Sequence, residues 1–144
     1  MKSYADTGLL VSLYLNENTT RAANSAVQRL REPLPLIPLG FLELRNALYL
    51  ALFRRQIDEA TCNAAWRRVE LDIRNGVYVQ ISVAQTDLHF KAAELAQKHT
   101  AALGTRTLDL LHIAAAILLK ADQLLSFDDR QREAAKREGL KIRP

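Results

Sequence analysis

The chain has 144 residues, 49% hydrophobic and 25% charged, which is the size and balance of one soluble globular domain with a core of its own. Its formal charge of +4 comes from 14 arginines and 6 lysines against 16 acids. Arginine's planar fork suits phosphate, so nucleic acid is a reasonable partner. A single cysteine, Cys62, excludes an internal disulfide and fits a reducing cytoplasm. Residues 1–8 lack the apolar core of a signal peptide, and the apolar runs are too short for a membrane span or carry charges such as Glu43 and Arg45. The expectation is a soluble, cytoplasmic protein.

Residues 2–5 read as a very short strand ending at Asp6-Thr7-Gly8, followed by an apolar helix over Leu9–Leu15. Thr20–Arg31 is amphipathic, with Ala22, Ala23, Ala26, Val27 and Leu30 on one side. The proline-rich stretch 33–38 cannot be helical, and Leu36-Ile37 fits a strand closed by Pro38. A helix runs from Gly40 to about Arg55, and Asp58 is placed to cap another that reaches Arg74 and stops at Asn75-Gly76. These two helices form an apolar pair through Phe41, Leu44, Leu48, Leu52, Trp66 and Val69, mostly core, with any surplus left for a partner. Val77–Ser82 alternates and is β-branched, hence a strand, and Thr86–Thr100 is helical. Next come a nearly all-apolar helix over Leu108–Leu119, a strand over Gln123–Phe127, and a charged helix over Arg130–Glu138. Gly139 caps that helix, and a last strand covers Leu140–Ile142. Strands alternating with helices predict an α/β fold: a single domain over 1–144 with a short, mostly parallel sheet of four or five strands and helices on both faces.

In open sheets of this kind, sites lie beyond the carboxyl ends of the strands, and acids stand at those places. Asp6 follows the first strand, Glu43 lies in the first turn after the second, and Asp128 ends the strand at 123–127. Asp109 opens the apolar helix. A helix of ~12 residues is ~18 Å long and a returning strand of ~5 residues spans ~16 Å, which brings Asp128 back to about the level of Asp109. Each acid alone has an ordinary explanation. Asp6 and Asp128 suit helix N-caps, and Glu43 and Asp109 suit the helix dipole. Glu43, however, shares its face with Ala47 and Leu50, and Asp109 shares its face with Ile113 and Ala116. Four carboxylates at one half-buried edge repel unless a cation lies between them. A hard divalent ion suits such a set, because His89, His99, His112 and Cys62 are scattered and form no zinc pattern. Such a metal, open to water, performs in-line phosphodiester hydrolysis. His112, one turn from Asp109, reads as a core or supporting residue.

The combination of Asp6-Thr7 after a first strand, Glu43 in ELRNAL, Asp109 in TRTLDLLHIAAA and Asp128 in LLSFDDRQ resembles a PIN domain. It is most similar to the VapC-type ribonucleases of bacterial type II toxin–antitoxin pairs. The resemblance covers essentially the whole chain and implies a Mg²⁺- or Mn²⁺-dependent endoribonuclease that is homodimeric and blocked by a small antitoxin. It assigns metal binding and catalysis to Asp6, Glu43, Asp109 and Asp128, with Glu43 holding the metal or orienting the attacking water. Thr7, Ser126 and Asn46 match supporting positions. Two departures stand out: Gly8 replaces a frequent serine, and Asp129 adds a fifth acid whose simplest reading is a first-turn helix charge.

Other enzyme classes fit less well. A haloacid-dehalogenase-type phosphatase needs an acid where Gly8 stands, and a receiver domain needs an acid pair after the first strand and a lysine that is not in place. A catalytically inactive PIN-like domain that binds RNA or protein is the alternative; retention of all four acids argues against it. Arg106, Arg130 and Arg132 lie near the proposed edge and are candidates for meeting RNA phosphates.

Overall fold

Seven helices and five three-residue strands make up the chain, here a computed structural model that describes residues 1–144. In chain order they are β1 (Ser3–Ala5), α1 (Thr7–Tyr14), α2 (Thr20–Gln28), β2 (Leu34–Leu36), α3 (Pro38–Phe53), α4 (Glu59–Arg74), β3 (Tyr78–Gln80), α5 (Gln85–Leu103), α6 (Thr107–Leu118), β4 (Gln123–Leu125), α7 (Asp129–Arg137) and β5 (Lys141–Arg143). They divide into two compact units, residues 7–81 and residues 1–6 with 82–144. Every strand pairing is parallel, as expected for this α/β class, but the pairs form two ladders, β1-β4-β5 and β2-β3. No helix is long and apolar enough to cross a membrane.

In the unit of residues 7–81, β2 admits Pro35 because the ladder does not need its missing N–H. The bonds to β3 run from Leu34 N to Val77 O and from Ile81 N to Leu36 O, on either side of the proline. Pro38 does not merely close the strand; it occupies the first turn of α3, where its fixed φ suits a helix and its absent donor is no loss. Asp58 caps α4 as expected, accepting from Thr61 N at 2.7 Å. Leu44 and Leu48 on α3 and Val69 on α4 are buried. Phe41 meets Trp66 edge-on at 5.3 Å, and the Arg45 guanidinium lies 4.2 Å from the Trp66 ring centre. Leu42, Tyr49 and Phe53 on α3 stay exposed, Phe53 at 82%.

In the other unit, β4 lies between β1 and β5 and is buried along its length. α6 is buried on nearly all sides, with Leu110 to Ala116 inside, and packs against α5. Its run of alanines permits that close approach. Burying a leucine or isoleucine side chain such as Ile113 or Leu124, both fully enclosed, is worth about 1.5–3 kcal/mol each. Gly104 ends α5 at φ +67°, a left-handed cap that residues with a Cβ rarely adopt. Gly139 follows α7 at φ +86°, the stop expected from its position.

Candidate functional site

The β1-β4 ladder puts Asp6 and Ser126 side by side. Asp6 N continues the ladder to Leu125 O at 3.0 Å, so both residues stand just past the carboxyl ends of their strands. The Ser126 hydroxyl, fully buried, donates to Asp6 Oδ2 at 2.7 Å and accepts from Asp128 N at 3.1 Å. One hydroxyl thus spends its proton on the first acid and a lone pair on the backbone of the second. Asp6 is itself only 7% exposed, although it is charged at neutral pH in water.

Asp128 is the N-cap of α7, its Oδ1 accepting from Gln131 N at 2.8 Å. Its Oδ2 faces Arg106 Nη2 at 3.7 Å. The same guanidinium donates from Nε to Asp109 Oδ2 at 3.1 Å, and Arg106 N donates to that oxygen at 3.2 Å. Asp109 therefore does perform the ordinary first-turn service at the start of α6, and it also shares a cation with Asp128. The two acids come close enough to share Arg106, as the helix-and-return dimensions allow. The Asp109 hydrogen bond, followed by the charges of Asp109 and Asp128, holds the Arg106 proton above the usual arginine range. Gln131, missed in the sequence reading, ties these parts together: it is 1% exposed and donates from Nε2 to Asp109 O at 3.3 Å. The Asp128-x-x-Gln131 spacing of a capping box was the available signal.

In the unit of residues 7–81, Glu43 is half-buried on α3 and accepts from Thr7 Oγ1 at 2.8 Å. Thr7 is the residue directly after Asp6 in the chain. Leu50, two turns along the Glu43 face, is 37% exposed, so that face is wetter than the spacing implied. Asn46 is exposed on α3, and Asp129 is exposed in the first turn of α7, as a dipole charge is. Two of the arginines are engaged with backbone: Arg130 Nη1 donates to Gly104 O at 3.3 Å, and Arg132 Nη1 donates to Ser126 O at 3.0 Å and to Pro144 O at 3.1 Å. An open depression is lined by Arg106, Phe127, Asp128, Asp129 and Arg130. His112 is buried, with Nδ1 2.8 Å from the Tyr4 hydroxyl, which is the supporting role expected of it.

Oxygen-only donors fit Mg²⁺ or Mn²⁺ and not a softer ion. As the side chains stand, no three His, Cys, Asp or Glu groups gather closely enough to hold a metal, and a guanidinium bridges Asp109 and Asp128. The donor chemistry fits a divalent cation.

The chain belongs to the PIN domain family, whose profile matches residues 3–137. Its fold is shared by VapC20 of Mycobacterium tuberculosis, described as a sarcin-ricin loop cleaving toxin, at TM-score 0.69, 17% identity and 99% coverage of both chains. Similar folds occur in VapBC2 from Rickettsia felis bound to a promoter DNA fragment, at TM-score 0.69 and 14% identity, covering 99% of this chain and 97% of that one. FitAcB from Neisseria gonorrhoeae is also similar, at TM-score 0.68 and 16% identity, with 99% and 96% covered. No curated protein matches in sequence.

Proposed function

We propose that this PIN domain is a Mg²⁺- or Mn²⁺-dependent endoribonuclease, the toxin of a type II toxin–antitoxin pair, acting in the cytoplasm as one domain over residues 1–144. The observation that carries this reading is the Asp6–Ser126–Asp128–Arg106–Asp109 chain of contacts at the ends of β1 and β4. A fold alone would not need three acids linked there by a single serine and a single arginine. Asp6, Asp109 and Asp128 would hold the cation. Glu43, oriented by Thr7, would hold it too or take up the proton of the attacking water.

A bound divalent ion supplies charge neutralisation and an acidified water for phosphodiester hydrolysis. The chain's own contribution is positional. Ser126 keeps the Asp6 carboxylate aimed and fixes the backbone of Asp128. Gln131 holds the start of α6 to the start of α7, and Arg130 and Arg106 line the depression where an RNA phosphate can approach. An antitoxin partner is supported by a similar fold described as a toxin-antitoxin complex from Klebsiella pneumoniae, and the exposed Leu42, Tyr49 and Phe53 of α3 offer an apolar surface for it or for a second copy of the chain.

The test is cleavage of total RNA by purified protein. Cutting with Mg²⁺ or Mn²⁺, lost in EDTA and in Asp6→Asn, is the expected result. Cleavage that survives in EDTA would sink the mechanism, and RNA binding without cleavage would favour the non-catalytic alternative.

A further inference from the structure

Arg106 is 73% exposed as a side chain, yet it spends its guanidinium on two acids. Asp109 is 13% exposed and Asp128 33%, so the pair it bridges is the drier side of the contact. Both contacts fall on Oδ2 atoms, at 3.1 Å for Asp109 and 3.7 Å for Asp128. The other oxygen of Asp128 is already engaged by the Gln131 backbone. A divalent cation that bridges Asp109 and Asp128 through these Oδ2 atoms competes with Arg106 for them. We propose that Arg106 is the resident counter-cation of the metal-free site, and that guanidinium and divalent metal exclude one another at Asp109 and Asp128.

This inference rests on the metal-dependent reading above and adds an internal competitor to it. The physical logic has two parts with the same sign. Arginine neutralises the repulsion between two adjacent carboxylates, which stabilises the empty arrangement. Its own charge also lowers the local attraction for a second cation. Because Arg106 sits at the N-cap position of α6 with its side chain largely in water, it can swing away without disturbing the core. The released guanidinium stays tethered at the rim of the depression that Arg130 and Phe127 also line. There it is free to meet a phosphate, a role that the acids deny it while they hold it.

The experiment is a Mn²⁺ titration at low ionic strength, read by the electron paramagnetic resonance of free Mn²⁺, on wild type, Arg106→Met, Arg106→Lys and Asp109→Asn. Methionine removes the charge without adding an oxygen ligand and should tighten Mn²⁺ binding about three- to fivefold, the scale of an exposed ion pair. Lysine restores the charge and should return the affinity to near the wild-type value. Added salt should narrow the gap between wild type and Arg106→Met. Unchanged or weaker binding in Arg106→Met would overturn the proposal, as would Arg106→Lys behaving like Arg106→Met. Equal binding by wild type and Asp109→Asn, or no binding by any of the four proteins, would instead overturn the metal reading on which it rests.

Discussion

In residues 7–81 one carboxylate, Asp72, is met by the Tyr14 phenol at 2.6 Å, with the Tyr78 hydroxyl 2.8 Å further along. In the other unit one serine hydroxyl serves two aspartates, and a third shares an exposed arginine. Both clusters place acids against hydroxyls at low exposure, and they differ in balance. The tyrosine cluster holds a single acid, met by one phenol that a second phenol backs, and the Arg68 guanidinium lies 5.4 Å from the Tyr14 ring centre. The aspartate cluster gathers three acids, two of which share the largely exposed Arg106. A network around one acid serves structure; one that crowds three acids together favours a cationic ligand.

That difference can be broken in order of expected effect. Asp109→Asn should reduce RNA cleavage by roughly a thousandfold or more while the melting temperature stays near wild type, because the lost group acts on charge in the reaction. A large drop in stability would instead make Asp109 a structural acid. Ser126→Ala should weaken Mn²⁺ affinity and cleavage about 10- to 100-fold, the usual toll for a group that orients a ligand. Because Ser126 is fully buried and its loss orphans Asp128 N, it should also cost about 1–3 kcal/mol in urea unfolding.

Tyr14→Phe should show the reverse pattern: about 1–3 kcal/mol of stability lost, with cleavage per folded molecule unchanged. The same network predicts a pH dependence. Burial, above all, pushes the Tyr78 phenol from 10.0 up to about 12, and burial likewise raises Tyr14. Their folded-state pKa values are raised, so the stabilisation is complete below pH 10, where the unfolded phenols are also protonated. Above that, the unfolded chain sheds protons first and stability falls by about 1.4 kcal/mol per pH unit for each such tyrosine, up to its folded pKa. Denaturant midpoints measured from pH 9 to 12 check this, and Tyr78→Phe should flatten part of the slope. The smallest effect belongs to Asp129→Asn, which should leave cleavage within error of wild type; a loss above tenfold would promote this exposed acid into the site.

The helices were largely legible in the sequence, because their apolar spacing and the Asp58 cap are local signals. The strands were harder: three residues offer too little alternation to fix a boundary, and Pro35 in β2 argued against the position it occupies. Strand pairing was beyond reach, since whether five short strands form one ladder or two depends on packing between distant segments. At the site, element lengths allowed Asp109 and Asp128 to share a level, and their joint contact with Arg106 agrees with that. Gln131 and the bridging role of Ser126 depend on which side chains are buried, and a charged helix such as α7 hides that. Arg130 and Arg132 looked free in the sequence, yet the backbone carbonyls they serve lie 26 and 6 positions away.

The contact between Asp6 and Ser126 joins residues 120 positions apart. On the ribosome Asp6 is made early and waits through nearly the whole of translation before β4 and Ser126 exist to receive it. Helices α1 to α6 can form locally in the meantime, but a parallel pairing this remote is a late event. A nascent or truncated chain that lacks residue 126 therefore lacks the hydroxyl that donates to its first aspartate. The contact between the first aspartate and its serine is thus made only when synthesis is nearly complete.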